Sequence, residues 1–240
     1  MQKFTYAVVA LLFVSACGKD KASLTDAQKS KIQSVISSVK TVQGASGAQT
    51  KSFVSTKQAI AIDTATQEKL RAKLMQGQCD IKTDSSVSGK AAKGLVAANV
   101  SVSGATCPIA MTAKVGAMEK STNGRVELSA EYFSRDEEFT QLSKIRSFKI
   151  SGFSEVGESG IKVNLDIRVD SVEHGQVAMT ALIDVDMANR KGLVEMKVSF
   201  PDFTKIIRAT AEGENEKYEI DGQEASKEDV EALVKSIQLQ

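Results

Sequence analysis

Apolar residues recur with two different periods along the chain, and the change falls near residue 95. Before it, residues 25–42 carry apolar side chains at the spacing of one helix face: Ile32, Val35, Ile36 and Val39. Thr25 followed by Gln28 has the pattern of a capping box, which predicts the start of this first helix. A second helix is predicted near residues 64–76.

From about residue 95 the period becomes two, which is typical of strands with one buried and one solvated face. The clearest case is a hairpin predicted over residues 161–187, with apolar positions at Ile161, Val163, Leu165, Ile167, Val169, Val177, Met179, Ala181, Ile183, Val185 and Met187. Further strands are predicted near residues 96–102, 109–115, 126–132, 147–153, 194–200, 204–211 and 216–221. Parallel strands, which are covered on both faces, would show continuous apolar runs instead.

The predicted fold class is therefore α+β. A curved antiparallel meander of about eight strands carries the N-terminal helices and a C-terminal helix on its apolar face, because a sheet this wide usually curls. Ser134 with Glu137 predicts a short helix between strands, and Ser226 with Asp229 predicts the start of the last helix. Residues 82–94 are small and polar and are predicted to form a mobile loop.

Turn residues predict how the hairpins are aligned. Residues 173–175, Glu-His-Gly, suit a three-residue loop with glycine in the left-handed position, and residues 189–192 suit a four-residue loop. These loops set two lysines opposite aspartates on the solvated face: Lys162 opposite Asp186, and Lys197 opposite Asp184. The dipeptide at 123–124, Asn-Gly, is a further strong turn signal.

The first sixteen residues differ from the rest of the chain. Lys3 supplies a positive charge, residues 4–14 are almost wholly apolar, and the small residues Ser15 and Ala16 follow. This layout is typical of a secretory signal peptide, and the apolar stretch is too short for a stable membrane-spanning anchor. A buried apolar helix at the N-terminus is the alternative.

The segment Val14-Ser15-Ala16-Cys17 resembles the lipobox of bacterial lipoproteins. In that family the cysteine sulfur is alkylated with a diacylglycerol, the leader is cut just before the cysteine, and the new amine is usually acylated. The resemblance implies that Cys17 is the lipidation site; a plain signal peptide with a chance cysteine is the alternative. Gly18, rather than an aspartate, follows Cys17, which by the sorting pattern of enterobacterial lipoproteins implies the outer membrane.

These features predict how the chain is divided. Residues 1–16 form a signal peptide, residues 17–24 a lipidated tether, and residues 25–240 a single periplasmic domain held at the bacterial cell envelope. Of the charged residues, only Lys3 lies in the leader. Its removal leaves 30 basic and 30 acidic side chains out of 31 and 30, so net charge gives no support for a nucleic-acid partner.

Beyond Cys17 the chain has two further cysteines, Cys79 and Cys107. In an exported chain one remaining pair most simply forms one disulfide. A metal-binding or redox pair is the alternative, but neither cysteine lies in a CxxC motif and the single histidine, His174, is far away in sequence.

Candidate chemistry in the body of the chain is sparse. His174 is expected to be a solvated turn residue, and the motifs of nucleotide-binding, serine-hydrolase and zinc-protease sites are absent from the sequence. Residues 136–138, Asp-Glu-Glu, could bind a metal but suit the start of a helix better. Asp166, Asp184 and Asp186 share the polar face and are expected to pair with lysines. We therefore predict no catalytic residues, no cofactor and no metal.

The order of elements loosely resembles envelope proteins that carry lipids or lipoproteins on a curved antiparallel sheet closed by helices. Methionine and phenylalanine on the apolar face, among them Met179, Met196 and Phe148, could line a cavity for an apolar ligand or simply fill the core. The predicted function is a non-enzymatic lipoprotein that binds an envelope protein or an apolar, lipid-like ligand. The alternatives are an interaction protein with a solid core and, less favoured, a hydrolase that uses carboxylates.

Overall fold

The computed structural model describes residues 24–45, 64–88, 95–120 and 123–238. The helices are α1 (Asp26–Ala45), α2 (Thr64–Gln76), α3 (Glu137–Ser143) and α4 (Lys227–Gln238). The strands are β1 (Asp80–Ser88), β2 (Leu95–Ser103), β3 (Ile109–Lys120), β4 (Asn123–Ser134), β5 (Ile145–Gly157), β6 (Gly160–Ser171), β7 (Gly175–Asp186), β8 (Lys191–Ser199), β9 (Thr204–Glu212), β10 (Asn215–Ile220) and β11 (Gln223–Ala225).

All of these strands belong to one open antiparallel sheet, in which each strand pairs with its neighbours in the sequence from β1 to β11. The predicted antiparallel meander is confirmed. The predicted number of about eight strands is wrong, because the described residues form eleven. The predicted signal peptide over residues 1–16, Cys17 and the tether up to residue 23 lie outside the described residues.

Strand β1 was not predicted from the sequence. All nine residues of β1, Asp80–Ser88, pair with β2, although we predicted residues 82–88 as part of a mobile loop. Strand β1 is mostly Ser, Thr and Asp, without the period-two apolar pattern, so its pairing is made by backbone groups that no side-chain pattern reports. Residues 89–94 of the predicted loop lie outside the described part of the chain.

Helix starts agree with the capping signals at two of three places. The amide of Thr25 donates to Gln28 Oε1 (3.0 Å), and the amide of Gln28 donates back to Thr25 Oγ1 (3.2 Å). Ser226 and Asp229 form the same reciprocal pair before α4. The third prediction is shifted: Asp136, rather than Ser134, caps α3 by accepting from the amide of Phe139 at 2.7 Å.

Both predicted hairpin alignments are displaced by an even number of residues. Lys162 lies opposite Asp184 rather than Asp186, and Lys197 lies opposite Thr180 rather than Asp184. Both loops end earlier than we predicted. Strand β7 already starts at Gly175, whose φ is +70°, and β8 already starts at Lys191. An even displacement keeps every apolar residue on the same face, so the apolar pattern alone allowed both alignments. The predicted Asn-Gly turn likewise proves to be the start of β4.

Side chains from the helices and from one face of the sheet share a single hydrophobic cluster. Ile32 of α1, Leu70 of α2 and Phe139 of α3 are fully buried in it, together with Ile109 and Val169 of the sheet. Helices α1 and α3 contact β5, and α4 contacts β10. Among the residues that the structure describes, no helix has the length and apolar character needed to cross a membrane.

Candidate functional site: a partly exposed apolar platform

Burial of the apolar sheet face changes along the strands. On β6, Val169 is completely buried, whereas Leu165 and Val163 are only half-buried. On β7, Val177 is buried and Ile183 is half-buried, and the side chain of Val185 is buried again. A band of apolar side chains in the middle of the face is therefore in contact with water.

We call this band the apolar platform; it consists of Leu128, Val163, Leu165, Ile183, Val194 and Met196. Its rim is more exposed, with 40% of Val126 and 52% of Val156 accessible to solvent. The platform runs over five neighbouring strands, β4 to β8, which corresponds to a width of about 19 Å at ordinary strand spacing. Leu128, Leu165, Val194 and Met196 also pack against the hydrophobic cluster. An apolar band of this width that remains partly accessible to solvent is a candidate binding site.

A recess crosses the platform at Gly152. This residue lies between Leu128 on one side and Leu165 on the other, so the row of side chains is interrupted there. A Cβ atom at position 152 would lie 2.2 Å from the backbone oxygen of Asn164. The neighbouring strands approach too closely for any side chain, and the recess is thus a fixed feature of the backbone.

The opposite face of the sheet is charged and internally paired. Lys162 lies 3.9 Å from Asp184, Arg168 lies 3.1 Å from Asp166, and Lys191 lies 2.9 Å from Glu212. A cleft of about 780 Å³ opens where β5 to β10 end, lined by both signs of charge, including Glu155, Lys162, Asp184, Lys191, Glu212 and Lys217. Two of these ion pairs lie within the cleft, while Glu155 pairs with Arg125 and Lys217 with Glu219, which do not line it. Each of the six groups therefore already has a partner of opposite charge.

The carboxylates considered for a hydrolase have separate roles. Asp184 and Asp186 both line the charged cleft, whereas Asp166 pairs with Arg168 outside it. Asp186 accepts hydrogen bonds from the backbone amide (3.0 Å) and side-chain amide (2.7 Å) of Asn189, and these bonds lower the pKa of its carboxyl group. A general acid at neutral pH would need a raised pKa instead.

The acidic residues 136–138 interact with neighbouring residues of α3 and α2. Asp136 caps α3, Glu137 accepts from Gln141 at 2.8 Å, and Glu138 pairs with Lys73 of α2. Within the described ranges, no group of three or more potential metal ligands occurs. The charges of this run therefore hold α3 in place and join it to α2.

His174 is not the solvated turn residue that we expected. It lies in the β6–β7 loop with only 16% of its side chain exposed, and its ring meets that of Phe200 edge to face at 6.1 Å. Its Nε2 atom is buried and makes no hydrogen bond in the part of the chain that the structure covers. Helix α1 contacts the same loop, since Ser34 donates to Glu173 at 3.5 Å.

The structure brings Cys79 and Cys107 together at a sulfur–sulfur distance of 2.03 Å, as expected for a disulfide. Cys79 immediately precedes β1, and Cys107 lies two residues before β3. Cys107 is buried and Cys79 packs against the core. The bond closes the β1–β2 hairpin at the edge of the sheet and lies far from the platform in sequence.

No protein-family model, curated protein or solved structure matches this chain. A function must therefore be inferred from the chain's own residues.

Sequence reasoning identified the apolar face but not the platform within it. Buried Val169 and half-buried Val163 are the same residue type at equivalent positions of one alternating strand. Their different burial depends on the tertiary structure around each of them, which the alternating pattern does not report. Gly152 was the one local signal, because a glycine inside a strand often marks a close backbone approach.

Proposed function

We propose that this protein is a lipid-anchored, non-enzymatic protein of the bacterial cell envelope whose platform holds an apolar ligand of the acyl-chain class. The observation that carries the proposal is the half-buried apolar band that adjoins the buried stretch of the same sheet face. Each 100 Å² of this surface that a ligand covers would contribute about 2.5 kcal/mol. In the proposed arrangement the sheet curves over its helices and leaves the platform as the open part of the apolar face.

The chemistry of the platform suits a flexible apolar ligand. Met196 and, beside it, Met179 are unbranched and polarizable, so they adapt to chains of varying shape. The recess at Gly152 offers a track between Leu128 and Leu165. The platform itself carries no charged side chain, and the ion pairs described above all lie elsewhere.

The anchor is proposed from the N-terminal sequence. The segment Val14-Ser15-Ala16-Cys17 supplies the cysteine that lipoprotein processing modifies. Each buried methylene contributes about 0.8 kcal/mol, so several acyl chains hold a domain firmly where a single chain would not. A disulfide between Cys79 and Cys107 is in keeping with an oxidising compartment such as the periplasm. We further propose the outer membrane, with the domain facing the periplasm.

Ligand binding can be tested with two variants at neighbouring positions of β6, whose side chains lie on opposite faces of the sheet. Val163→Lys places a charge in the platform, whereas Asn164→Lys places the same charge on the exposed polar face one residue later. The full chain, purified from membranes, would be titrated with cis-parinaric acid and monitored by fluorescence. We expect the Val163 variant to bind at least about tenfold more weakly, because the cation must be desolvated against the ligand. The Asn164 variant should match the wild type.

Two results would decide against a lipid ligand on the platform. Saturable binding that is equal in both variants would place the ligand elsewhere. Absence of saturable binding in the wild type, with no lipid found by mass spectrometry of the purified protein, would favour the alternative of an interaction protein without a ligand.

The anchor has its own test. Cys17→Ser should move the protein from the membrane fraction to the soluble fraction, or leave it as an uncleaved precursor held by its leader. Labelling with a radioactive fatty acid separates lipidation from retention of the leader, since only the wild type should incorporate label. Incorporation of label by the Cys17→Ser variant would show that another residue is lipidated.

A further inference from the structure

One long edge of the sheet is open in the described structure. Strand β1 pairs with β2 through nine consecutive residues and has no described strand on its other side. The opposite edge, β11, has three residues and is followed directly by α4. An unpaired edge of the length of β1 presents a row of backbone donors and acceptors to a further strand.

The accessible part of β1 lacks most of the devices that prevent edge pairing. Its alignment with β2 is continuous, without a bulge, and the strand contains no proline. Asp80, Lys82 and Asp84 are exposed on one side, and Ile81 is 54% exposed on the other. Lysine on an edge strand usually discourages pairing, but here an aspartate lies two residues away on each side.

This charge pattern is complementary to itself. In an antiparallel pair of two β1 strands with Thr83 opposite Thr83, Lys82 of each copy lies opposite Asp84 of the other. The same alignment pairs residues 80–86 of both strands, within the bounds of β1. Moving the centre to Asp84 would set two carboxylates face to face, which is unfavourable. Moving it to Ile81 would keep two ion pairs but use only residues 80–82 of the strand.

We propose that a second copy of this chain pairs with the β1 edge in this alignment, so that two sheets join into one across a twofold axis. Such an interface is isologous and consumes the long edge of both copies, so the assembly stops at a dimer. The Cys79–Cys107 disulfide ties the residue before β1 to the connection between β2 and β3. The edge is therefore ordered before it meets its partner, which reduces the entropy lost on association.

Charge reversal tests the alignment in the full chain. Lys82→Asp sets aspartate opposite Asp84, and Asp84→Lys sets lysine opposite Lys82, so either single variant should weaken dimerisation at least about tenfold by sedimentation equilibrium. The double variant Lys82→Asp/Asp84→Lys restores opposite charges at both positions and should recover the wild-type dissociation constant.

Cysteine cross-linking measures the centre of the interface. Directly opposed residues of antiparallel strands have Cα atoms about 4.5–5.5 Å apart, which a disulfide can bridge. Thr83→Cys should therefore give a covalent dimer on non-reducing gels. Ile81→Cys, on the same side of the strand, would place its thiol opposite residue 85 and should remain without a covalent link. Wild type is run beside them so that cross-links through other cysteines are recognised.

Each outcome decides the proposal. A wild-type chain that is monomeric at all concentrations overturns it, and so does a dimer in which the double variant stays as weak as the single ones. Cross-linking of the Ile81→Cys variant but not of the Thr83→Cys variant would also refute it, because the strands would then meet at a different centre.

Discussion

Replacing both bonded cysteines by alanine should lower the free energy of unfolding by more than about 3 kcal/mol. Cys79 and Cys107 are separated by 28 positions. In the loop-entropy relation a closed loop of this length removes about 12 cal/mol/K from the unfolded chain, which corresponds to about 3.6 kcal/mol at 25 °C. Cys107 is only 3% exposed, so losing its sulfur also removes buried apolar contact. A loss of this size is a large part of the roughly 5–15 kcal/mol typical of a domain.

Equilibrium unfolding in urea, followed by circular dichroism, measures the change. The Cys79→Ala/Cys107→Ala protein is compared with the wild type, and the wild type with reductant serves as a matched control that keeps both sulfurs. The reduced wild type should lose most of the same stability, since the entropy term depends on the bond and not on the side chains. An unchanged urea slope would show that the same cooperative unit unfolds in each protein.

Two results would refute this reasoning. A loss below about 1 kcal/mol in both proteins would mean that the unfolded chain is not measurably restricted by the bond. Hydrogen exchange that accelerates only in β1 and β2, with β6 and β7 unchanged, would show that the bond secures the sheet edge locally instead of the whole fold.

Three further predictions concern the core, the recess and the response to alkali. Phe139→Ala should lower the free energy of unfolding, measured in urea, by about 3–5 kcal/mol, because removing the fully buried ring leaves a cavity. A decrease below about 1 kcal/mol would contradict the described core. Gly152→Ala should lower the free energy of unfolding by at least about 1–3 kcal/mol, because the new Cβ clashes with β6. The control Gly116→Ala, with no atom within 4 Å of its Cβ, should leave that free energy almost unchanged. Equal effects of the two variants would disprove the close approach at Gly152. Burial raises the pKa of Tyr132 to about 12 from 10.0, so the unfolded chain loses this proton first and stability should fall between about pH 10 and 12, by up to about 3 kcal/mol. Tyr132→Phe should reduce that fall in unfolding experiments across this pH range, and an unaltered pH profile would refute the assignment.

The parts of the fold that were predictable depend on side-chain patterns. Alternation from about residue 95 onwards predicted the antiparallel meander, and the Thr25 and Ser226 caps placed two helix starts to within a residue. The cysteine pair followed from counting. Each of these signals is local, or depends on residue identity alone.

The parts that were missed depend on backbone geometry or on distant neighbours. Strand β1 is held by hydrogen bonds that its polar side chains do not report. The hairpin alignments differ by steps of two or four residues, which leave the apolar face unchanged. The platform was not predicted because Val163 and Val169 are the same residue type on the same face of one strand, yet only Val169 is fully buried. We predicted a solvated His174 because its contact with Phe200 joins two separate loops and is not visible in the sequence.

The strictly sequential strand order has a consequence for how the chain folds. Every strand from β2 to β11 pairs with the strand that precedes it in the sequence. The sheet can therefore form one hairpin at a time, without pairing between segments that are distant in the sequence. Short sequence separations between partners favour rapid folding. A chain that emerges N-terminus first could bond Cys79 to Cys107 before more than half of its residues have appeared. The growing sheet then always offers its newest strand as the template on which the next strand pairs.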